Sequence, residues 1–310
     1  MDIFDILCRQ VEFAKKDENL SKHTTMGIGG SCRLLVEPFS CDEIYKTIDF
    51  CNKNDVLYTK VGNCSNLIVA DDGFDGVVIK IGKNFADVFV DGNRVVAQAG
   101  AFGKKVYNVA MQNGLGGVEF LATLPATVGG AVVCNAGCFG GCMQNVVSKV
   151  WATDGQKVVV FDQKDICFGY RDSIFKHNNM VVTQVEFCLY PSDKNKIQNH
   201  YRQLISQKKQ SQPLEQKSAG CFFKKHNGVS AGYYIDKLGL KGFGVGDVKI
   251  SQKHAGFFVN NGGATLKQVI QLMSIVKTKC KNTFGISLEP EVVFLGSTDD
   301  FRRLSYTYGF

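Results

Sequence analysis

The chain has 310 residues, 45% of them hydrophobic and 21% charged, the make-up of a globular protein with room for two or three domains. Thirty-six Lys and Arg against twenty-nine Asp and Glu give a formal charge of +7. The basic residues are scattered, with no RNA-binding aromatic signature or zinc-finger spacing, so a small phosphorylated or carboxylated partner fits as well as nucleic acid.

In chain order, the first segment opens irregularly. Its N-terminus, MDIFDILCRQ, has no signal-peptide pattern. Ser40 and Glu43 are spaced as a capping box, with Ile44, Ile48 and Cys51 on one helical face. Strands are expected at Leu57–Val61 and Val77–Ile81, separated by the turn Gly62-Asn63-Cys64-Ser65-Asn66. Hairpins fit residues 87–99 around Asp91-Gly92 and 146–161 around Asp154-Gly155. A helix fits 103–113, stopped by Gly114. After Pro191 the chain turns polar, and 192–217 reads as a helix and connection. A short helix is expected at about 230–238, then strands at 246–250 and 256–260. A long helix follows Thr265, with Leu266, Val269, Ile270, Met273, Val276 and Cys280 on one face, and a last strand follows Pro290. The mixture of hairpins and isolated helices predicts an α+β protein rather than a doubly wound sheet. No apolar run approaches the roughly 18–20 residues of a membrane span, so no membrane insertion is expected.

Residues 114–140, GLGGVEFLATLPATVGGAVVCNAGCFG, hold seven glycines, with Glu119 the only carboxylate. Glycine-rich, nearly uncharged backbone fits either a wrapping around a large flat ligand or a tightly packed sheet corner. There is no G-x-G-x-x-G after a strand and no G-x-x-x-x-G-K-[ST], so neither a Rossmann dinucleotide site nor a P-loop is expected. Cys134, Cys138 and Cys142 are spaced C-x3-C-x3-C, which matches no usual zinc or iron–sulfur pattern. The twelve cysteines read as reduced thiols, and no metal is expected.

Four clusters carry chemistry. The turn at 62–66 suits main-chain N–H groups aimed at phosphate, or an ordinary strand-to-helix turn. In FGYRDSIFK, Arg171 beside Tyr170 can present its fork to a carboxylate or pair with Asp172. In SAGCFFK, Cys221 between Gly220 and two Phe, close to Lys224, is an acid, a nucleophile or core. In LEPEVVFLG, Glu291 opens an apolar strand. Pointing inward it would be paired or have a raised pKa; pointing outward it is an ordinary strand-end acid. His254, in SQKHAGFFVN, fits a core histidine or a ligand contact.

In this order and spacing, from His23-Thr24-Thr25 to Gly296, these clusters resemble the UDP-N-acetylenolpyruvoylglucosamine reductase family. The resemblance implies an FAD-binding module of the vanillyl-alcohol-oxidase kind, in two α+β subdomains at 1–85 and 86–200, and a substrate-binding α+β domain at 201–310. It implies FAD held by Gly62, Asn63, Cys64, Ser65 and Asn66 at its pyrophosphate. Glu119, Thr123, Pro125, Gly129, Gly130, Asn135 and Gly137 would lie along its ring. NADPH would reduce the flavin, and the flavin would reduce UDP-GlcNAc-enolpyruvate to UDP-N-acetylmuramate in cytoplasmic peptidoglycan precursor synthesis. Arg171 and Glu291 would stabilise the enolate, Cys221 would give the proton, and Tyr170, Lys224 and His254 would contact substrate. The chain resembles the shorter subclass, lacking both an insertion between Lys224 and Ala231 and room for a Tyr loop in 178–200. It departs from the family pattern at Gly27, where a basic residue is common, at Cys64, Thr123 and Ala126, where glycine is usual, and at Ser211, where a Lys usually precedes Gln-Pro; Lys208 and Lys209 are the nearby cations. These departures bear on cofactor and substrate affinity more than on fold. They also keep two other readings open, a non-catalytic flavin- or UDP-sugar-binding relative and another flavin oxidase on the same scaffold. The sequence carries no signal for oligomeric state.

Overall fold

The computed structural model describes residues 2–296; the C-terminal tail, including SYTYGF, lies outside the described residues. Two compact units interleave along the chain. The first comprises Met1–Lys16, Leu34–Asn63 and Gly76–Lys208; the second comprises Asp17–Arg33, Cys64–Asp75 and the chain from Lys209 onward.

The first unit holds a five-stranded antiparallel sheet in the order Val158–Asp162, Val147–Thr153, Val181–Cys188, Arg94–Gln98, Val88–Asp91. Both expected hairpins are its outer pairs. Its central strand, Val181–Cys188, was not anticipated: VVTQVEFC is buried at most positions and lacks clean alternation. A four-stranded sheet, Ala14–Lys16, Cys32–Val36, Phe74–Lys80, Tyr58–Val61, contains one parallel pair, Tyr58–Val61 with Phe74–Lys80. The chain start is not irregular: Asp2 caps a helix at Ile3–Cys8.

Helix Cys41–Lys53 starts at Ser40, whose side chain accepts the Glu43 N–H at 3.2 Å. The other half of the box differs from expectation. The Glu43 carboxylate accepts the N–H groups of Glu12 at 2.6 Å and Phe39 at 2.7 Å, so it ties the chain near Glu12 to the helix start. Ile44, Ile48 and Cys51 are fully buried with Leu34, Val77, Val95 and Val185 in one core. Helix Gly103–Gln112 ends at Asn113, followed by Gly114 at φ +69°. Helix Lys194–Ser211 is the polar helix expected there.

The second unit has its own core, built from Met26, Ile28, Ile68 and Phe222 with Phe258, Val269, Met273 and Val276. Its antiparallel sheet runs Lys217–Cys221, Phe257–Asn260, Val248–Ile250, Gly244–Val245. Helix Leu266–Phe284 begins in a full capping box of Thr265 and Gln268 and buries Leu266, Val269, Ile270, Met273, Val276 and Cys280. Asp71 also accepts the Leu266 N–H at 2.9 Å. The last strand, Val293–Leu295, runs parallel to Leu67–Val69. The architecture is α+β throughout. No helix among the described residues is long and apolar enough to cross a membrane.

Candidate active site

Turn 62–66 follows strand Tyr58–Val61 and leads into strand Leu67–Val69. Its side chains are spent on holding its shape. Asn63 donates to the Pro125 carbonyl at 2.8 Å, and Asn66 donates to the Glu291 carbonyl at 3.0 Å. Cys64 takes φ +51°. A Cβ at Gly62 would lie 2.3 Å from Thr127 Oγ1, so only glycine lets the turn approach that hydroxyl. The main-chain N–H groups of Asn63 and Ser65 meet no acceptor among the described residues. Orphan donors in a turn with one left-handed residue form a nest for an anion, and this donor set fits a diphosphate such as that of FAD.

The glycine-rich stretch is packed more tightly against protein than its composition suggests. The N–H of Gly129 donates to Ala99 O at 2.8 Å and that of Gly130 to Thr127 Oγ1 at 3.4 Å, closing the start of helix Val128–Val133. The buried Glu119 carboxylate accepts the Gly117 N–H at 2.9 Å and lies 3.9 Å from His200 Nδ1. Thr123 Oγ1 donates to Phe120 O at 2.8 Å and lies 3.2 Å from Cys138 Sγ. The ammonium of buried Lys208 donates to Thr123 O. Burial pushes the Cys138 thiol up, opposed by the Thr123 hydrogen bond and by the charges of Lys208 and Arg171. Cys142 Sγ pairs with Asn145 Oδ1 at 2.7 Å.

Tyr170 and Arg171 form the tip of a two-residue turn closed by Gly169 and Asp172, whose main chains exchange hydrogen bonds of 3.0 and 3.3 Å. Arg171 takes φ +55°, its Nη1 donates to Gly137 O at 3.2 Å, and its carbonyl accepts from Lys176. Tyr170, exposed, has its ring 5.8 Å from the guanidinium. Asp172 pairs with His177 at 2.8 Å, and that hydrogen bond holds its carboxyl below the usual range.

In the second unit, Cys221 ends strand Lys217–Cys221 opposite Phe257, across a bulge between Ser218 and Cys221. The next residue, Phe222, donates its N–H to Gly256 O and accepts the Glu291 N–H, each at 2.9 Å. Cys221 and Glu291 thus ride on adjacent backbones. Lys224 continues the pairing: its N–H donates to Glu289 O at 2.9 Å and its ammonium lies 3.2 Å from the Glu289 carboxylate. Phe222 stacks on Phe258 at 4.1 Å, giving this junction a rigid apolar floor. His254 accepts the Gly256 N–H at Nδ1, 3.0 Å away, and burial lowers its pKa. Its proton therefore sits on Nε2 in a neutral ring.

Of the sequence-based site residues, the first unit carries Gly62, Asn63, Glu119, Thr123, Pro125, Gly129, Gly130, Asn135, Gly137, Tyr170 and Arg171; the second carries Cys64, Ser65, Asn66, Cys221, Lys224, His254 and Glu291. Sequence reasoning missed Thr127, whose hydroxyl meets Gly62 and caps a helix; the T-x-x-G spacing was its only signal. It also missed Lys217, whose Nζ lies 3.5 Å from where a side chain at Gly27 would begin and so brings a cation to that place.

Comparison with known proteins decides the family. A relative from Clostridium botulinum, a UDP-N-acetylenolpyruvoylglucosamine reductase, is 37% identical over 92% of this chain and 93% of its own. The chain belongs to the UDP-N-acetylenolpyruvoylglucosamine reductase family. A Syntrophomonas wolfei reductase of the same name is 36% identical over 95% of this chain and 98% of its own. The family's C-terminal domain model matches residues 212–295, and an FAD binding domain model matches 32–157. The crystal structure of the Thermus caldophilus UDP-N-acetylenolpyruvylglucosamine reductase superposes with a TM-score of 0.79 at 33% identity, over 92% of this chain and all of that one.

Proposed function

We propose that this chain reduces the enolpyruvyl group of UDP-GlcNAc-enolpyruvate to the lactyl ether of UDP-N-acetylmuramate, with NADPH as reductant, in peptidoglycan precursor synthesis. The observation that carries the reading is the hydrogen bond from Glu291 N–H to Phe222 O, which lays the backbone bearing an acid beside the backbone bearing a thiol in a family of reductases. Bound FAD supplies the chemistry of hydride transfer.

In this reading residues 1–85 and 86–200 form an FAD module of the vanillyl-alcohol-oxidase kind, and 201–310 form the substrate domain. Main-chain donors of Gly62, Asn63, Cys64, Ser65 and Asn66 hold the cofactor diphosphate. Glu119, Thr123, Pro125, Gly129, Gly130 and Gly137 line its ring. Arg171 meets the substrate carboxylate, where a fixed cation disperses the charge that develops as the double bond is reduced. Glu291, in its protonated form, donates a hydrogen bond to the same enolate. Cys221 holds the proton that completes the product, since a thiol is a stronger acid than the hydroxyl that more commonly fills such a place. Tyr170, Lys224 and His254 contact substrate; His254 is suited to donate from Nε2. The reaction belongs in the cytoplasm, where it would support cell shape and division.

The test is direct. Purified protein should be yellow and, without oxygen, should consume NADPH beyond one equivalent per flavin only when UDP-GlcNAc-enolpyruvate is present. Flavin that binds without turnover, or that stays attached after denaturation, rejects the reading.

A further inference from the structure

Asn135 is 7% exposed and takes φ +38°, a conformation that Asn tolerates better than most residues. Its amide is turned toward protein. Nδ2 donates to Gly169 O at 2.8 Å and approaches Gln144 Oε1 at 3.4 Å, while Oδ1 accepts the Gln144 N–H at 3.0 Å. Gly169 is the first residue of the turn that carries Tyr170 and Arg171. Two further bonds flank this one: Ser173 Oγ donates to Val133 O at 2.8 Å, and Arg171 Nη1 donates to Gly137 O at 3.2 Å. Residues 133, 135 and 137 are thus stitched in turn to 173, 169 and 171. The segment being stitched holds Arg171 at φ +55°, a costly conformation for a residue with a Cβ that persists only where the surroundings impose it.

We propose that Asn135 is a positioning residue for Arg171: its side chain fixes the Gly169–Asp172 turn, and so the place of the guanidinium, instead of touching the cofactor. The inference rests on the assignment of Arg171 to the substrate carboxylate. Its physical basis is that a shift of about 1 Å in a charge-stabilising group costs up to about a hundredfold in rate. A buried amide with a backbone acceptor on one side and a backbone donor on the other removes that freedom.

The test uses holoenzyme and measures the two half-reactions separately. Asn135→Asp keeps the shape, the tolerance of positive φ and the acceptor for Gln144, but sets an oxygen against the Gly169 carbonyl. Ser173→Ala removes a neighbouring stitch and serves if the first variant fails to fold. The expected result is an oxidative half-reaction with substrate slowed about tenfold to a hundredfold in Asn135→Asp, and slowed less in Ser173→Ala. NADPH reduction of the flavin and the FAD dissociation constant should stay within about twofold of wild type. Adding Asn135→Asp to Arg171→Lys should cost little more than Arg171→Lys alone, because the two act through one group. A raised FAD dissociation constant with both half-reactions slowed alike would make Asn135 a cofactor contact and overturn the proposal. So would unchanged kinetics in both single variants. Failure of the parent reading looks different: Arg171→Lys would then keep a normal oxidative half-reaction, whatever Asn135→Asp does.

Discussion

The main-chain N–H of Glu291 donates to the carbonyl oxygen of Phe222 at 2.9 Å. Cys221 precedes that carbonyl by one residue, and Phe222 itself is fully buried and stacked on Phe258. The acid and the thiol are therefore carried by backbone that cannot shift without breaking both a ladder bond and a packed aromatic pair. Positions so held keep their spacing through a catalytic cycle.

Cys221→Ala should leave reduction of the flavin by NADPH intact and slow its reoxidation by substrate by about a hundredfold or more, the usual worth of a positioned proton donor. Cys221→Ser should restore part of the rate and move the alkaline limb of the pH profile upward, because a hydroxyl stays protonated where a thiol ionises. Stopped-flow measurement of each half-reaction checks both; an alkaline limb that does not move would remove Cys221 from the mechanism.

Lys60 donates to Asn178 O at 3.1 Å and to Met180 O at 2.6 Å, and burial takes its pKa from the ordinary 10.5 to about 8. Between pH 8 and 10.5 the unfolded chain holds a proton that the folded chain has released. Stability contributed by this group must therefore rise with pH across that window. Buried thiols work the other way at higher pH, so the comparison is with Lys60→Met. The difference in unfolding free energy, wild type minus variant, should grow as pH climbs from 8 to 10.5. Denaturant melts at several pH values read it; a flat difference contradicts the burial of the ammonium.

Burial pushes the Cys51 thiol up to about 12 and those of Cys32 and Cys280 to about 11, and all three are closed to solvent. Cys167 and Cys188 are exposed. A thiol reagent at neutral pH should label Cys167 and Cys188 in the native protein and reach Cys32, Cys51 and Cys280 only on unfolding. Peptide mapping after brief labelling gives the answer, and early label on Cys51 would contradict the packing of helix Cys41–Lys53.

Gly62→Ala places a methyl where Thr127 Oγ1 now sits, 2.3 Å from the new carbon. Either the turn shifts or Thr127 leaves the Gly130 N–H. The expected outcome is weaker FAD binding by about an order of magnitude, some 1.4 kcal/mol, together with loss of about 1 kcal/mol from the helix cap. Flavin fluorescence titration and thermal melts of the apoprotein measure the two separately.

Much of this was legible in the residues. Thr265 and Gln268 form the box that starts the long helix, and the two Asx-Gly turns mark real hairpins, because these signals are local. Glu43 shows where local reasoning stops: the same S-x-x-E pattern is present, but the carboxylate is shared between neighbouring Phe39 and Glu12, and only the tertiary fold brings Glu12 near. Strand Val181–Cys188 was missed because a strand covered on both faces loses its alternation. At the candidate site, side chains such as Arg171 and Cys221 stand out in the sequence by type. What Glu119 and Asn135 bind does not, because their shortest hydrogen bonds go to main-chain atoms of Gly117, Gly169 and Gln144, and backbone positions leave no mark on residue identity.

The C-terminal core borrows Met26, Ile28, Ile68 and Ala70 from two early excursions of the chain, and the long helix takes a cap from Asp71. During synthesis those apolar residues emerge long before Phe222, Phe258 and Val276 exist to cover them. The growing chain must therefore carry unsatisfied surface until its last third leaves the ribosome. By the same logic a fragment beginning at Lys209 would lack the strand that Val293–Leu295 pairs with, and splitting the protein there should yield aggregation rather than two working halves.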